Sequence, residues 1–282
     1  MDATDNRQSA NVAWGAALSL AWREIVRFFR QRNRVIGAFA QPLLFWGLFS
    51  VGLQRSFRVG EQDFGDYFVP GTLMLMILFT AIFATISIIE DRREGFLQGV
   101  LVSPVPRWAI VAGKVLGGAT VAILQGLLLL LLAACWGVRP GLGEWLAIFT
   151  FMVVAALGLT SLGFGIAWRM ESTQGFHAIM NLLLMPMWLL SGAFFPLPAW
   201  DERSGWAEQL LHVVMRANPV TYLVAGVRQL MYGPQLVDVA REAGFWAPSL
   251  VVCWGVSLVF LVVIFAWACR TASQRNSWGG GV

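Results

Sequence analysis

Six long apolar runs, at about 35–53, 67–89, 115–138, 145–168, 176–195 and 245–269, leave this chain little choice of fold. A hydrocarbon core about 30 Å thick needs roughly 20 helical residues to cross it, and each run meets or approaches that length. The expected fold class is all-α: a polytopic membrane protein with six transmembrane helices. With 57% hydrophobic and only 13% charged residues, the chain lies well away from the soluble norm of about 25% charged. Its 29 glycines and 14 tryptophans fit the same class, because Gly lets spanning helices approach closely and Trp anchors at the lipid interface. None of the runs as drawn carries Asp, Glu, Lys or Arg in its interior, which argues against a proton-coupled pump.

The basic residues give an orientation. Thirteen of the 20 Lys and Arg fall in segments sharing one side with the amino terminus, including Arg23, Arg27, Arg92, Arg93, Lys114 and Arg169. By the positive-inside rule both termini, and the segment 90–107, are expected in the cytoplasm. The net charge of +4 then needs no nucleic acid, since the basic excess faces anionic lipid and no soluble basic and aromatic module is present. Cys135, Cys253 and Cys269 lie in or at the ends of spans without paired spacing and are expected to pack as small apolar residues. The first residues carry Asp2, Asp5 and Glu24, an order unlike a cleavable signal peptide, so the amino terminus is expected to stay on the chain.

Three segments between the runs carry helical periodicity. Over 11–34, Trp14, Leu18, Trp22, Ile25 and Phe29 share one arc at 100° per residue, and Arg23, Arg27, Arg30 and Arg34 lie opposite. That pattern predicts an amphipathic helix in the interface, its arginines toward water or headgroups. Between spans 5 and 6, within 196–244, Trp206, Leu210, Val213 and Val214 line one helical face. After Asn218-Pro219, Val220, Leu223, Val224, Val227 and Met231 line another. Two short extracytoplasmic, re-entrant helices are expected there, capping or dipping into the outer leaflet. The third segment, "EDRREGFLQGVLVSPVPR" at 90–107, opens on charges and then places Phe96, Leu97, Val100 and Leu101 at helical spacing. Pro104 and Pro106 stop it, so 90–103 is expected to be a short helix whose apolar face meets a partner or the membrane surface. The chain thus divides into an amino-terminal segment 1–34, a six-helix membrane domain 35–269 and a tail 270–282.

The residues needed for several chemistries are missing. The Gly113-Lys114 pair is followed by Val115 and lacks the upstream glycine of a phosphate-binding loop, so ATP is not bound by that route. His177 and His212 fall on opposite sides of the expected membrane, leaving no histidine pair for a metal. Ser161 has neither the spacing of a nucleophile elbow nor a visible base. No catalytic, metal or cofactor residue is therefore assigned.

The ordered stretch "YFVPGTLMLMILFTAIFATISIIEDRREGFLQGVLVSPVPR", followed by "GKVLGGATVAILQG", is similar to the signature of ABC-2 type transporter permeases. The likeness is greatest to the drug-exporter and nodulation-type export branch. Tyr67, Pro70, Gly71, Arg93, Glu94, Gly95, Phe96, Leu97, Val100, Leu101, Pro104, Arg107, Gly113 and Lys114 carry the match. "MPMWLLSGAFFPL" and "NPVTYLVAGVRQL" resemble the family's fifth span and the helices after it. Gly99 and Ala225 depart from it, standing where acidic residues are common.

The resemblance implies a permease subunit of an exporter in the bacterial cytoplasmic (inner) membrane. Two permease copies, as a homodimer, would each dock a separate ATPase subunit that holds ATP and Mg. It implies docking by Arg92, Arg93, Glu94, Phe96, Leu97 and Leu101, with Arg23 and Arg27 of the amino-terminal helix and a second contact at Arg169 to Gly175. A substrate pathway would run between spans 1, 2 and 5, near Pro42, Trp46, Tyr67, Met180, Met185 and Met187. Only three tyrosines are present, which favours a hydrophobic or amphiphilic substrate (drug, lipid or lipid-linked glycan) over a polysaccharide. A polysaccharide exporter permease and a non-transport membrane scaffold stay open as alternatives.

Overall fold

The computed structural model describes residues 3–32, 35–37, 40, 43–44, 46–48, 58–59, 62–135, 137–200, 205–233, 235–242 and 244–274. Among these, the helices are α1 (Ala3–Arg30), α2 (Phe64–Ala84), α3 (Ile86–Arg93), α4 (Phe96–Val102), α5 (Arg107–Cys135), α6 (Leu142–Ala167) and α7 (Thr173–Trp188). They continue with α8 (Trp206–Ala217), α9 (Pro219–Tyr232), α10 (Gln235–Glu242) and α11 (Leu250–Ser273). A two-residue antiparallel pair, Arg58–Val59 with Gln62–Asp63, precedes α2. The protein is an all-α, polytopic membrane protein. Five described helices are long and apolar enough to cross a membrane, and a sixth span results if the bent pair α8–α9 counts as one. Most of the expected first span, 35–53, lies outside the described residues.

Burial ranks the spans. In its most apolar stretch, Tyr67–Arg93 is 83% buried and Leu250–Ser273 only 11%, so α2 is the axis of the bundle and α11 its outer wall. Leu73 through Leu78 are buried in succession, as expected of a helix packed on every side, against α5, α6 and α9. α11 instead exposes Val251, Val259, Val262 and Val263.

Several expectations are corrected. The third span starts at Arg107 rather than 115, and the second runs on to Arg93, so both helices contain charged residues that the apolar runs excluded. The 90–103 segment is not one helix. Residues 90–93 end α3, and α4 begins at Phe96. Gly95 between them has φ +78°, and its N–H donates to the Arg92 carbonyl at 3.2 Å. A glycine in the left-handed region is the common way to end a helix, because only Gly lacks the Cβ that this conformation crowds.

The helix expected at 11–34 runs over Ala3–Arg30 and has three faces rather than two. Trp14, Leu18, Trp22 and Phe29 are exposed, while Ala13, Ala17, Leu20 and Ala21 are buried between them and the arginines. This small-residue face packs on α5 at Gly113 and Gly117, where an added Cβ would stand 2.6 Å from the Ala17 carbonyl oxygen and from the Glu24 Cβ respectively. Beyond span 5, α8 and α9 form where periodicity placed them, bent by 73°, and α10 follows without having been anticipated. The α9 face of Val220, Leu223, Val224, Val227 and Met231 is buried, whereas the α8 face of Trp206, Leu210, Val213 and Val214 is exposed.

Candidate functional site: a charged hub and a broken span

Where α3 ends, three helices bring charge together. Asp91, with no exposed side-chain surface, accepts two hydrogen bonds from Arg23 of α1 (2.9 and 2.8 Å), one from Arg27 (2.8 Å) and one from Lys114 of α5. Lys114, only 3% exposed at its side chain, also donates to Glu24 Oε1 at 2.5 Å and to Ser87 Oγ at 3.4 Å. Arg27 further pairs with Glu90 at 2.8 Å and Glu94 at 3.4 Å. Buried ions are costly unless each finds opposite charge and good hydrogen-bond geometry, and here Asp91 meets three cations while Lys114 spends its donors on three oxygens. The hydrogen bond to Asp91 raises the Arg23 pKa further above its ordinary value, so that guanidinium stays charged throughout the working pH range. Its plane also lies over the Phe96 ring, 3.8 Å from the centroid, a cation–π contact.

The neighbouring arginines face another way. Arg92 donates to the carbonyls of Trp168 (2.6 Å) and Met170 (2.9 Å), and Arg93 to that of Glu171 at 3.2 Å. These carbonyls lie just past the end of α6, where helical partners run out and the helix dipole favours a cation. The structure thus brings together the 90–94 segment and the Arg169 to Gly175 turn.

Of the expected docking residues, Leu97 is buried, Leu101 partly so, and Arg93, Glu94 and Phe96 are exposed. Arg23, Arg27 and Arg92 turn their guanidiniums to partners within the chain, whereas the amphipathic pattern places Arg23 and Arg27 toward water or headgroups. An open groove of about 510 Å³, lined by Trp22, Arg23, Val26, Arg27, Arg30 and Glu94, runs alongside.

The opposite end of α2 is built from backbone. α7 runs through Pro186 to Trp188 and passes into a π-helical turn at Leu189–Ala193, where Leu190 and Gly192 leave helical geometry and Gly192 has φ +75°. The loosened carbonyls are taken up by side chains. Asn218 Nδ2 donates to Met187 O (2.5 Å) and Leu190 O (3.3 Å), and Tyr67 and Arg228 both donate to Gly192 O, at 3.0 and 2.9 Å. Trp188 Nε1 donates to Gly71 O at 2.8 Å, and Gly71 is required because a Cβ there would lie 2.8 Å from Ala193.

The expected pathway residues fall in different surroundings. Pro42 lies outside the described residues. Trp46 borders a small apolar void with Val69, Thr72, Leu129, Leu132 and Ala133. Tyr67 and Met180 are buried, and Met185 and Met187 are partly buried against the core. Tyr67 therefore holds the broken end of span 5 through its hydroxyl.

Sequence reasoning missed Asp91, Lys114, Glu24, Asn218 and Arg228 as site residues. The signal for the first three was present: opposite charges at the margins of three separate apolar segments.

Comparison with known proteins bears on most of the chain. The family model described as ABC-2 type transporter matches residues 16–232. The chain is 25% identical over 216 residues to putative transport permease ycf38 of Cyanophora paradoxa, covering 75% of this chain and 72% of that protein. It is 24% identical over 274 residues to inner membrane transport permease YadH of Escherichia coli (strain K12), covering 93% and 96%. Nodulation protein J of Rhizobium leguminosarum bv. trifolii is 26% identical over 235 residues, covering 80% and 85%. With the matched region taking in the charged hub, the elbow at Gly95 and the broken fifth span, this multi-pass membrane protein belongs to the ABC-2 type transporter family.

Proposed function

We propose that this chain is the permease subunit of an ATP-driven exporter in the bacterial cytoplasmic membrane, with both termini in the cytoplasm. Two copies form the pathway as a homodimer, and each docks one copy of a separate ATPase that holds ATP and Mg. The substrate is hydrophobic or amphiphilic. The observation that carries this reading is the α3–α4 elbow: Phe96 and Glu94 are exposed at it, Val102 is 86% exposed, and the residues behind it are pinned to α1, α5 and the end of α6. An element that passes on a push must present a surface and be fixed at its base.

Glu94 and Phe96 are the proposed contacts, Leu97 and Leu101 support α4 from beneath, and Arg92 and Arg93 seat the elbow on the Arg169 to Gly175 turn. ATP-driven movement of the ATPase pair would shift the elbow between two arrangements, and the energy enters through contacts that differ between them. Lys114 and Asp91 lie inside this support, each paired with opposite charge, which suits a permease better than a proton-driven carrier. The pathway residues Trp46, Tyr67, Met185 and Met187 would then act at the interface between copies or in a conformation opened by ATP.

The test is co-purification of the permease with an ABC ATPase expressed alongside it, followed by ATP-dependent movement of a cationic amphiphilic dye in proteoliposomes. Glu94→Ala/Phe96→Ala is expected to abolish ATPase capture and transport while leaving the permease folded. Full capture and transport by that variant would overturn the docking assignment. Cysteines introduced at positions 62 and 98 are expected to label from opposite sides of the membrane, and labelling from one side would overturn the topology.

A further inference from the structure

α1 rests on α5 through its alanine face and the two glycines, an apolar contact that by itself does not orient α1 against the elbow. That connection is carried by charge. Arg23 grips Asp91 with both terminal nitrogens on the near side of the Gly95 break and covers the ring of Phe96 on the far side. Arg27 reaches Glu90, Asp91 and Glu94, three successive carboxylates of the same rim. Lys114 closes the loop from α5, holding Asp91 and Glu24 at once.

A two-pronged guanidinium–carboxylate pair fixes direction as well as distance. Apolar helix faces resist separation but constrain direction less. The cluster also fails as a unit, because removing one partner leaves the others charged and poorly solvated.

We infer that Asp91 is the centre of an ionic joint that makes α1, the α3–α4 elbow and the first turns of α5 move as one body, and that Arg23 and Arg27 are positioning residues of coupling rather than contacts to the ATPase. This inference rests on the reading that the elbow meets an ATPase, but its structural part concerns the permease alone. The joint widens the lever. A push on the seven residues of α4 is delivered to the 28-residue α1 and to the span beginning at Arg107, so two spans and the amino-terminal helix turn together.

The test uses Arg23→Gln/Arg27→Gln, which leaves Lys114 to neutralise Asp91, beside the conservative Arg23→Lys/Arg27→Lys. In the permease alone, in phospholipid nanodiscs, nitroxides at positions 19 and 98 report the α1-to-α4 distance by pulsed electron resonance, in a background with Cys135, Cys253 and Cys269 replaced. The glutamine pair is expected to broaden the distribution and the lysine pair to keep it near wild type. An unchanged distribution in the glutamine pair overturns the joint. In the complex with the ATPase, the glutamine pair is expected to retain ATPase capture and lose about tenfold in rhodamine-stimulated over basal ATP hydrolysis. Loss of capture with a narrow distance distribution would make these arginines direct contacts and overturn the inference. Failure of the wild-type permease to capture any ATPase would sink the proposed function and leave the distance measurement to decide the joint. Should the glutamine pair not fold, Glu90→Gln/Glu94→Gln, which loosens Arg27 only, is read by the same distances.

Discussion

The two ends of the α2–α3 span are secured by different chemistries. At Asp91, side-chain charges from α1 and α5 converge on a carboxylate with no exposed surface. At the other end, Tyr67 of α2, Arg228 of α9 and the α9 cap Asn218 donate to carbonyls of the broken fifth span, and Trp188 of that span donates back to the Gly71 carbonyl. The first arrangement ties the elbow to α1 and α5, and its strength depends on all its charges being present. The second repairs a fault within one helix through donors that do not depend on one another's charge, two of them sharing the Gly192 carbonyl. Loss should accordingly be collective at the charged end and piecemeal at the broken end.

Asp91→Asn should have the largest effect. It leaves Arg23, Arg27 and Lys114 around a neutral amide, and removing one member of a buried ionic set costs about 3–5 kcal/mol; thermal unfolding of the purified permease measures it. Asp91→Glu is expected to recover part of that loss. At the other end, Gly71→Ala drives a methyl against Ala193 and should cost about 1–3 kcal/mol as overpacking, in the same assay.

Asn218→Ala removes the cap of α9, where Asn218 Oδ1 accepts from the Val220 N–H, and frees two carbonyls of the broken span. A loss of about 1–2 kcal/mol is expected. Were it to match Asp91→Asn, the claim that the backbone end fails piecemeal would be wrong. The smallest effect is expected at Gly95→Ala, where the added methyl meets open space but the left-handed φ costs about 1 kcal/mol. A larger loss of transport than of stability there would mark the break as a working hinge of the elbow.

The centres of spans two to six were legible because an uninterrupted apolar run at membrane length has few other uses. Their ends were not. Asp91 and Lys114 lie just outside the apolar runs, since a lone charge ordinarily ends a span, and only the approach of α1 makes their burial tolerable. The elbow was half legible: the charges, the apolar face and the proline stop were read, but Gly95 was passed over because helical periodicity continues on both sides of it. On α8, periodicity identified the apolar face of Trp206 and Val213 but not what it meets, since lipid and protein core select the same residues.

Class and family follow from the chain alone: hydrophobic length sets a membrane bundle, and ordered motifs from Tyr67 to Leu230 set the ABC-2 kinship. Tertiary structure alone decided which charges are surface and which are hub. Whether Arg23 faces water or Asp91 depends on residues 68 positions apart meeting, and the energy of that meeting comes from geometry that no local pattern encodes. The same holds for Tyr67, which pairs with a carbonyl 125 positions away that becomes available only because the fifth span breaks.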